Sequence, residues 1–169
     1  LLRLFDLFNE KSVECFVYSP FLQYLQQDYG IKPNVSGEFE IGDDLPEDVS
    51  FLVSLGGDGT FLKSFMVAKN KSIPMVGINS GRLGFLSDIS RDEIEKALNN
   101  ILEGNIYIDE RTVLELEIVK NGISEIFYAL NEITVTKLDS ASMINIHAFV
   151  NGEFLNTYWA DGLIIATPT

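Results

Sequence analysis

Apolar residues recur along this chain in two rhythms, and the change from one to the other falls near Gly104-Asn105. Before it, helix-like and strand-like segments alternate. Leu1-Leu2-Arg3-Leu4-Phe5-Asp6-Leu7-Phe8 opens a helix over 1–10, and 13–18 is a mostly apolar run, broken only by Glu14, that reads as a buried strand. Ser19-Pro20 reads as an N-cap followed by a proline at the first helical position, starting a helix that runs to about residue 28. The stretch 33–48 is polar and rich in Gly, Pro and Asp, hence a loop. Strands are predicted at 49–55 and 74–79, with a helix at 58–69 between them. Ser90-Arg91-Asp92-Glu93 has capping-box spacing, and Ile94, Ala97, Leu98 and Ile101 line one face of the helix behind it. Strands alternating with helices predict an α/β unit with a parallel sheet covered on both faces.

After residue 104 the spacing is that of strands alone. Leu114, Leu116 and Ile118 alternate with Glu115 and Glu117 in a strand over 112–119. Further strands follow at 123–130, 133–136, 143–150, 153–159 and 163–166, and Asn121-Gly122 and Asn151-Gly152 are hairpin signals. The expected organisation is therefore an α/β phosphate-binding domain over 1–104 and the start of an all-β domain over 105–169. The chain opens in helical pattern without Met and stops at Thr167-Pro168-Thr169, so it reads as the interior of a longer protein.

Composition narrows the possible partners. The 169 residues include 25 acidic and 12 basic side chains, a formal charge of −13. That field argues against nucleic acid and anionic membranes. No apolar stretch approaches the length of a membrane span. The lone cysteine, Cys15, lies inside an apolar run and reads as a small core residue, which suits a reducing cytoplasm. His147 has no second His or Cys to share a metal with and reads as a strand histidine.

The chemistry concentrates at Ser54-Leu55-Gly56-Gly57-Asp58-Gly59-Thr60, where a strand hands over to a helix. Gly56, Gly57 and Gly59 would let a phosphate approach the backbone, and the amides and dipole of the helix start would favour its charge. A carboxylate there repels phosphate. Asp58 therefore needs a purpose, either holding a metal ion or taking a proton from a hydroxyl, and both belong to phosphoryl transfer. A tight acidic turn is the plain alternative. Gly77-Ile78-Asn79-Ser80-Gly81-Arg82-Leu83-Gly84-Phe85-Leu86 ends the next strand, again with glycines that would admit a ligand. Within it Phe85 and Leu86 are expected in the core and Arg82 on the surface. Asn131-Glu132 sets an amide and a carboxylate between apolar residues, and Asp161-Gly162 precedes an apolar strand. Neighbours on a strand face opposite ways, so a partner for Asn131 is expected more than one for Glu132.

Together these four stretches resemble the NAD kinase family: Gly-Gly-Asp-Gly at 56–59, the Gly-Ile-Asn stretch at 77–86, Asn131-Glu132, and Asp161-Gly162 running to Thr167-Pro168-Thr169, with Ala166 where Ser is commoner. The resemblance covers the chain from about Val13. It implies a Rossmann-like α/β domain followed by a β-sandwich-like one, with the site in the cleft between them. It also implies transfer of the γ-phosphoryl of ATP, or of polyphosphate, to the adenosine-ribose 2′-hydroxyl of NAD, giving NADP. By that likeness Asp58 is the general base and Gly56, Gly57 and Gly59 admit phosphates. Lys63 is either a phosphate partner or a solvated helix lysine. Asn131 and Glu132 hold ribose and adenine, and Asp161 contacts a base or the nicotinamide amide. Mg²⁺ or another divalent cation would neutralise the donor phosphates, and family members are usually dimers or tetramers. The family continues past Thr-Pro-Thr into a segment lining the nucleotide site. Two other readings stay open: a diacylglycerol or sphingoid lipid kinase, which shares the glycine turn, and a non-catalytic NAD-binding module. Against the lipid kinase stand Val76-Gly77-Ile78-Asn79-Ser80-Gly81, where such kinases resemble Pro-x-Gly-Thr-x-Asn-Asp, and the lack of a basic membrane face.

Overall fold

The computed structural model describes residues 2–43, 45–68, 71–81, 84–139 and 141–168, so the expectations for Leu1, Lys69, Arg82, Leu83 and Thr169 lie outside the described residues. Two compact units divide the chain, Leu1–Ile108 and Asp109–Thr169.

The first unit runs α1 (Leu2–Glu10), β1 (Phe16–Tyr18), α2 (Ser19–Tyr29), β2 (Gly37–Phe39), β3 (Leu52–Leu55), α3 (Asp58–Ala68), β4 (Met75–Ile78), a 3₁₀ turn (Arg91–Glu93) and α4 (Ile94–Leu102). β1 pairs with β2 and β3 with β4, both parallel, and Ile89 adds a parallel bridge to Ile78. Helix α1 ties the layers together. Leu4, Leu7 and Phe8 pack with Ile78 and Leu98, while Phe5 packs with Val17 and Leu25. Cys15 touches both clusters, as a small core residue should, and burial pushes its thiol pKa above the ordinary value.

Three local expectations are corrected. The stretch 33–48 holds a strand, β2, because β1 offers it a parallel edge, and a pairing partner outweighs weak local propensity. The N-cap of α2 is Tyr18, not Ser19. Ser19 is already helical, and its hydroxyl donates to the Phe39 carbonyl at 3.2 Å, fastening β2 to the helix start. Phe85, expected in the core, is 96 % exposed. The capping box does form: the Ser90 amide donates to the Glu93 carboxylate at 3.2 Å, but it opens the 3₁₀ turn that precedes α4.

The second unit is antiparallel throughout its described residues: β5 (Leu114–Lys120), β6 (Ile123–Ala129), β7 (Glu132–Thr136), β8 (Ile144–Val150), β9 (Glu153–Ala160) and β10 (Gly162–Ala166). Asn121-Gly122 closes the β5–β6 hairpin and Asn151-Gly152 the β8–β9 hairpin. All four residues have positive φ (54°, 77°, 52° and 84°), as a two-residue turn matched to strand twist requires. β10 returns to pair with β7, Gly162 opposite Thr136 and Ala166 opposite Glu132. His147 Nδ1 lies 2.8 Å from Thr157 Oγ1 across the β8–β9 pair, a satisfied strand histidine. Among the described residues no helix is long and apolar enough to cross a membrane.

Leu98 is fully buried where α4 meets α1 and β4. Leu98→Ala should cost about 2–5 kcal/mol of stability, the usual cost of a core cavity. The described helices all lie in the first unit and the single tryptophan, Trp159, in the second. The loss should therefore appear in the helical circular-dichroism transition in urea. A shift under 1 kcal/mol, far below that expected range, would mean that Leu98 does not hold these layers together.

Candidate functional site

The glycine turn is shaped from both sides. Gly56 N–H donates to the Ile78 carbonyl at 2.9 Å, extending the β3–β4 ladder by one residue. The Gly57 carbonyl then accepts from Thr60 (2.9 Å) and Phe61 (3.1 Å), which starts α3. A side chain at Gly56 would run into Thr60, whose Cβ would lie 2.7 Å from the added carbon. Gly57 and Gly59 meet nothing within 4 Å, so the start of α3 is open at those two positions. Lys63 is exposed one turn further along.

Asp58 is not an idle carboxylate. Its Oδ2 accepts the Phe85 N–H at 2.9 Å, and its Oδ1 accepts the Leu86 and Ser87 N–H groups at 3.0 and 3.1 Å. These bonds, led by those from Phe85 and Leu86, hold its pKa below the usual carboxylate value against a smaller opposing effect of desolvation. Part of the carboxylate's purpose is thus structural: three amide dipoles neutralise it and it fixes the turn that carries them.

Two glycines of 77–86, Gly77 and Gly84, serve the same contact, which corrects their reading as ligand space. A side chain at Gly77 would meet the Ser87 Cα at 2.7 Å and the Leu86 carbonyl at 2.8 Å. One at Gly84 would meet the Asp58 carboxylate, with Oδ2 only 2.6 Å away. Gly77 is small so that the backbone of 86–87 can lie flush, and Gly84 so that the Asp58 carboxylate can reach its amides. Gly81 alone of the three faces open space. Beside the anchored carboxylate the Phe85 ring stands out into solvent, a free aromatic face.

Two further residues hold this turn, and sequence reasoning missed their roles. Buried Asn79, at the end of β4, donates from its amide to the Ser87 carbonyl (3.1 Å) and accepts the Gly81 N–H (2.7 Å) on its side-chain oxygen. The Arg91 guanidinium donates to the Ser80 carbonyl. The polar residue at a strand end signalled Asn79; nothing local signalled Arg91.

In the second unit Asn131 and Glu132 are exposed at the start of β7. The Asn131 carbonyl accepts from the Thr167 amide (2.8 Å) and hydroxyl (3.2 Å), so backbone bonds set its place. Asp161 is 73 % exposed in the turn before β10 and pairs with Lys137 at 2.6 Å. The β7–β10 ladder puts Asp161 and the Asn131-Glu132 pair at opposite ends of β10, separated by five to six residue steps, roughly 17–20 Å. A ligand touching both must be long. Among the described residues no three His, Cys, Asp or Glu side chains gather to hold a metal ion.

The Asp58 anchoring has a pH signature. The amide bonds belong to the ionised carboxylate, whose folded pKa lies below the ordinary 3.8. Their stabilisation is therefore complete above that ordinary value and lost as pH falls through the lowered one. In an NMR titration the Phe85, Leu86 and Ser87 amide protons should shift together with a midpoint below 3.8, and Asp58→Asn should abolish the step. Independent shifts, or a midpoint at the ordinary value, would mean the three bonds are absent in solution.

Comparison with known proteins accords with this geometry. The family model described as "ATP-NAD kinase N-terminal domain" matches residues 13–106. The chain is 41% identical over 169 residues to an NAD kinase of Flavobacterium psychrophilum, covering 99% of this chain and 57% of that one. It is 43% identical over 166 residues to an NAD kinase of Bacteroides fragilis, covering 98% and 56%. Among solved structures, a yeast NADH kinase complexed with NADH superposes over 98% of this chain and 52% of its own, with TM-score 0.80 at 26% identity. An NAD kinase from Archaeoglobus fulgidus in complex with ATP superposes over 90% and 59%, with TM-score 0.56 at 27% identity. The chain thus spans a little over half the length of the relatives it matches. A glycine turn, an anchored acidic residue and a family model that covers more than half of these residues agree: this chain belongs to the NAD kinase family.

Proposed function

We propose that the protein of which this chain is a part transfers the γ-phosphoryl group of ATP to the adenosine-ribose 2′-hydroxyl of NAD. One bond breaks, between the γ-phosphorus and the oxygen that leaves on ADP. One forms, between that phosphorus and the ribose 2′-oxygen. The hydroxyl proton passes to the Asp58 carboxylate and then to solvent. The carrying observation is the Asp58 carboxylate at the open start of α3. Oδ1 takes two amides and Oδ2 only one, so Oδ2 keeps lone-pair capacity for a hydroxyl. A carboxylate of lowered pKa is a weak base towards a resting alcohol. Its chief task is then to orient the hydroxyl and take the proton late, after the phosphoryl group has begun to transfer.

The other groups fit roles around that step. Gly57 and Gly59 leave the helix amides reachable by phosphate, Gly56 shapes the turn, and Lys63 is within a helical turn as a phosphate partner. The exposed Phe85 ring offers a stacking face for a base. Asn131 and Glu132 at one end of β7–β10, and Asp161 at the other, suit the separated polar groups of a dinucleotide. A divalent cation such as Mg²⁺ would ride on the donor phosphates and water, since the described residues offer it no cage. Polyphosphate is the alternative donor. The half-buried lone thiol suits work in a reducing cytoplasm. Exposed Phe149, Phe154 and Trp159 are surface that a homo-oligomer would cover.

The test is formation of NADP by the full-length protein with Mg²⁺ and ATP or polyphosphate, read through an NADP-specific dehydrogenase. Diacylglycerol and sphingosine should not be phosphorylated. Asp58→Asn should lower kcat by about 10²–10⁴-fold. No NADP with any donor would sink the kinase reading, and thermal stabilisation by NAD without turnover would point to a binding module instead. Asn131→Ala should raise the apparent KM for NAD far more than that for ATP; an equal rise in both would make Asn131 structural.

A further inference from the structure

Every hydrogen bond to the Asp58 carboxylate among the described residues comes from the backbone of 85–87. Its orientation therefore follows wherever that turn is held, and the turn is held elsewhere. Asn79 is fixed in the sheet, its own N–H donating to the Ile89 carbonyl at 2.8 Å. From there its side chain grips both the entry and the exit of the loop, Gly81 N–H at 2.7 Å and the Ser87 carbonyl at 3.1 Å. Arg91, at the start of the 3₁₀ turn, grips the entry a second time through the Ser80 carbonyl. The missing side chain at Gly77 lets Leu86 and Ser87 lie flush against β4. Buried Asn79 is set by the sheet, whereas exposed Arg91 reaches in from outside.

We propose that Asn79 and Arg91 are positioning residues: they preset the described stretches 80–81 and 84–87 and, through the amides of 85–87, aim the Asp58 carboxylate and the Phe85 ring before any ligand arrives. Neither touches the reacting atoms. The structural part stands on the geometry alone, while the effect on turnover rests on the kinase reading above. A misplacement of about 1 Å at a reacting group costs on the order of 10²-fold in rate, so loosening the clasp should be visible in kcat.

The experiment compares full-length wild type, Arg91→Ala, Arg91→Lys and Asn79→Ala. Amide hydrogen exchange of the peptide covering 84–88 is measured beside steady-state kinetics. Arg91→Ala should exchange faster in that peptide and lose roughly 10–100-fold in kcat, with the apparent KM for ATP and the thermal midpoint unchanged. Arg91→Lys keeps a donor for the Ser80 carbonyl and should restore most of both. Asn79→Ala should show the larger effect. If burial makes that variant unfold, the Arg91 pair decides alone. Unchanged exchange at 84–88 in Arg91→Ala would overturn the proposal whether or not the wild type makes NADP. So would faster exchange with unaltered kcat in an enzyme that does make NADP. A wild type that makes none defeats the kinase reading, and the exchange arm still tests the clasp.

Discussion

One carboxylate and three backbone amides organise the first unit around its glycine turn. Asp58 begins α3, its partners follow β4, and the parallel β3–β4 pair is what brings the two stretches side by side. The contact is short in space and long in sequence, so it closes only once the sheet has formed. The surrounding choices then follow. Gly84 has no side chain because the carboxylate occupies that space, and Gly77 has none because Ser87 does. An acidic residue is accommodated at the glycine turn because three amide dipoles answer its charge.

Much of this was legible from residue order. The alternation of helix and strand, the switch to strands alone and both Asn-Gly hairpins are local in origin, and local patterning reports them. The glycine turn was legible as a special place. What could not be read was which glycine borders open space and which makes room for the fold. Gly57 and Gly84 look alike in sequence; one faces open space and the other the carboxylate of Asp58, 26 residues before it in the chain. Phe85 was misread for the same reason. A phenylalanine beside a leucine reads as core, and only the pinned turn turns its ring outward. The β2 strand was hidden because its stability comes from β1, not from its own three residues.

Polar groups in the antiparallel unit show a different limit. Asn131 was expected to need a partner for a buried side chain. Its carbonyl takes two bonds from Thr167 while its side chain lies exposed, so it is the backbone that fixes its position. Asp161 likewise rests on Lys137, a partner that spacing alone did not suggest.

The β7–β10 ladder also behaves as a measuring rod with coarse graduations. Side chains alternate faces along a strand, so inserting one residue would turn every later side chain to the other side, and only insertions of two preserve the pattern. Each such step is roughly 7 Å. The interval between Asp161 and the Asn131-Glu132 pair therefore cannot be adjusted by small increments. The spacing of the groups at those ends changes only in jumps, and descendants of this sequence can retune their chemistry residue by residue far more readily than their span.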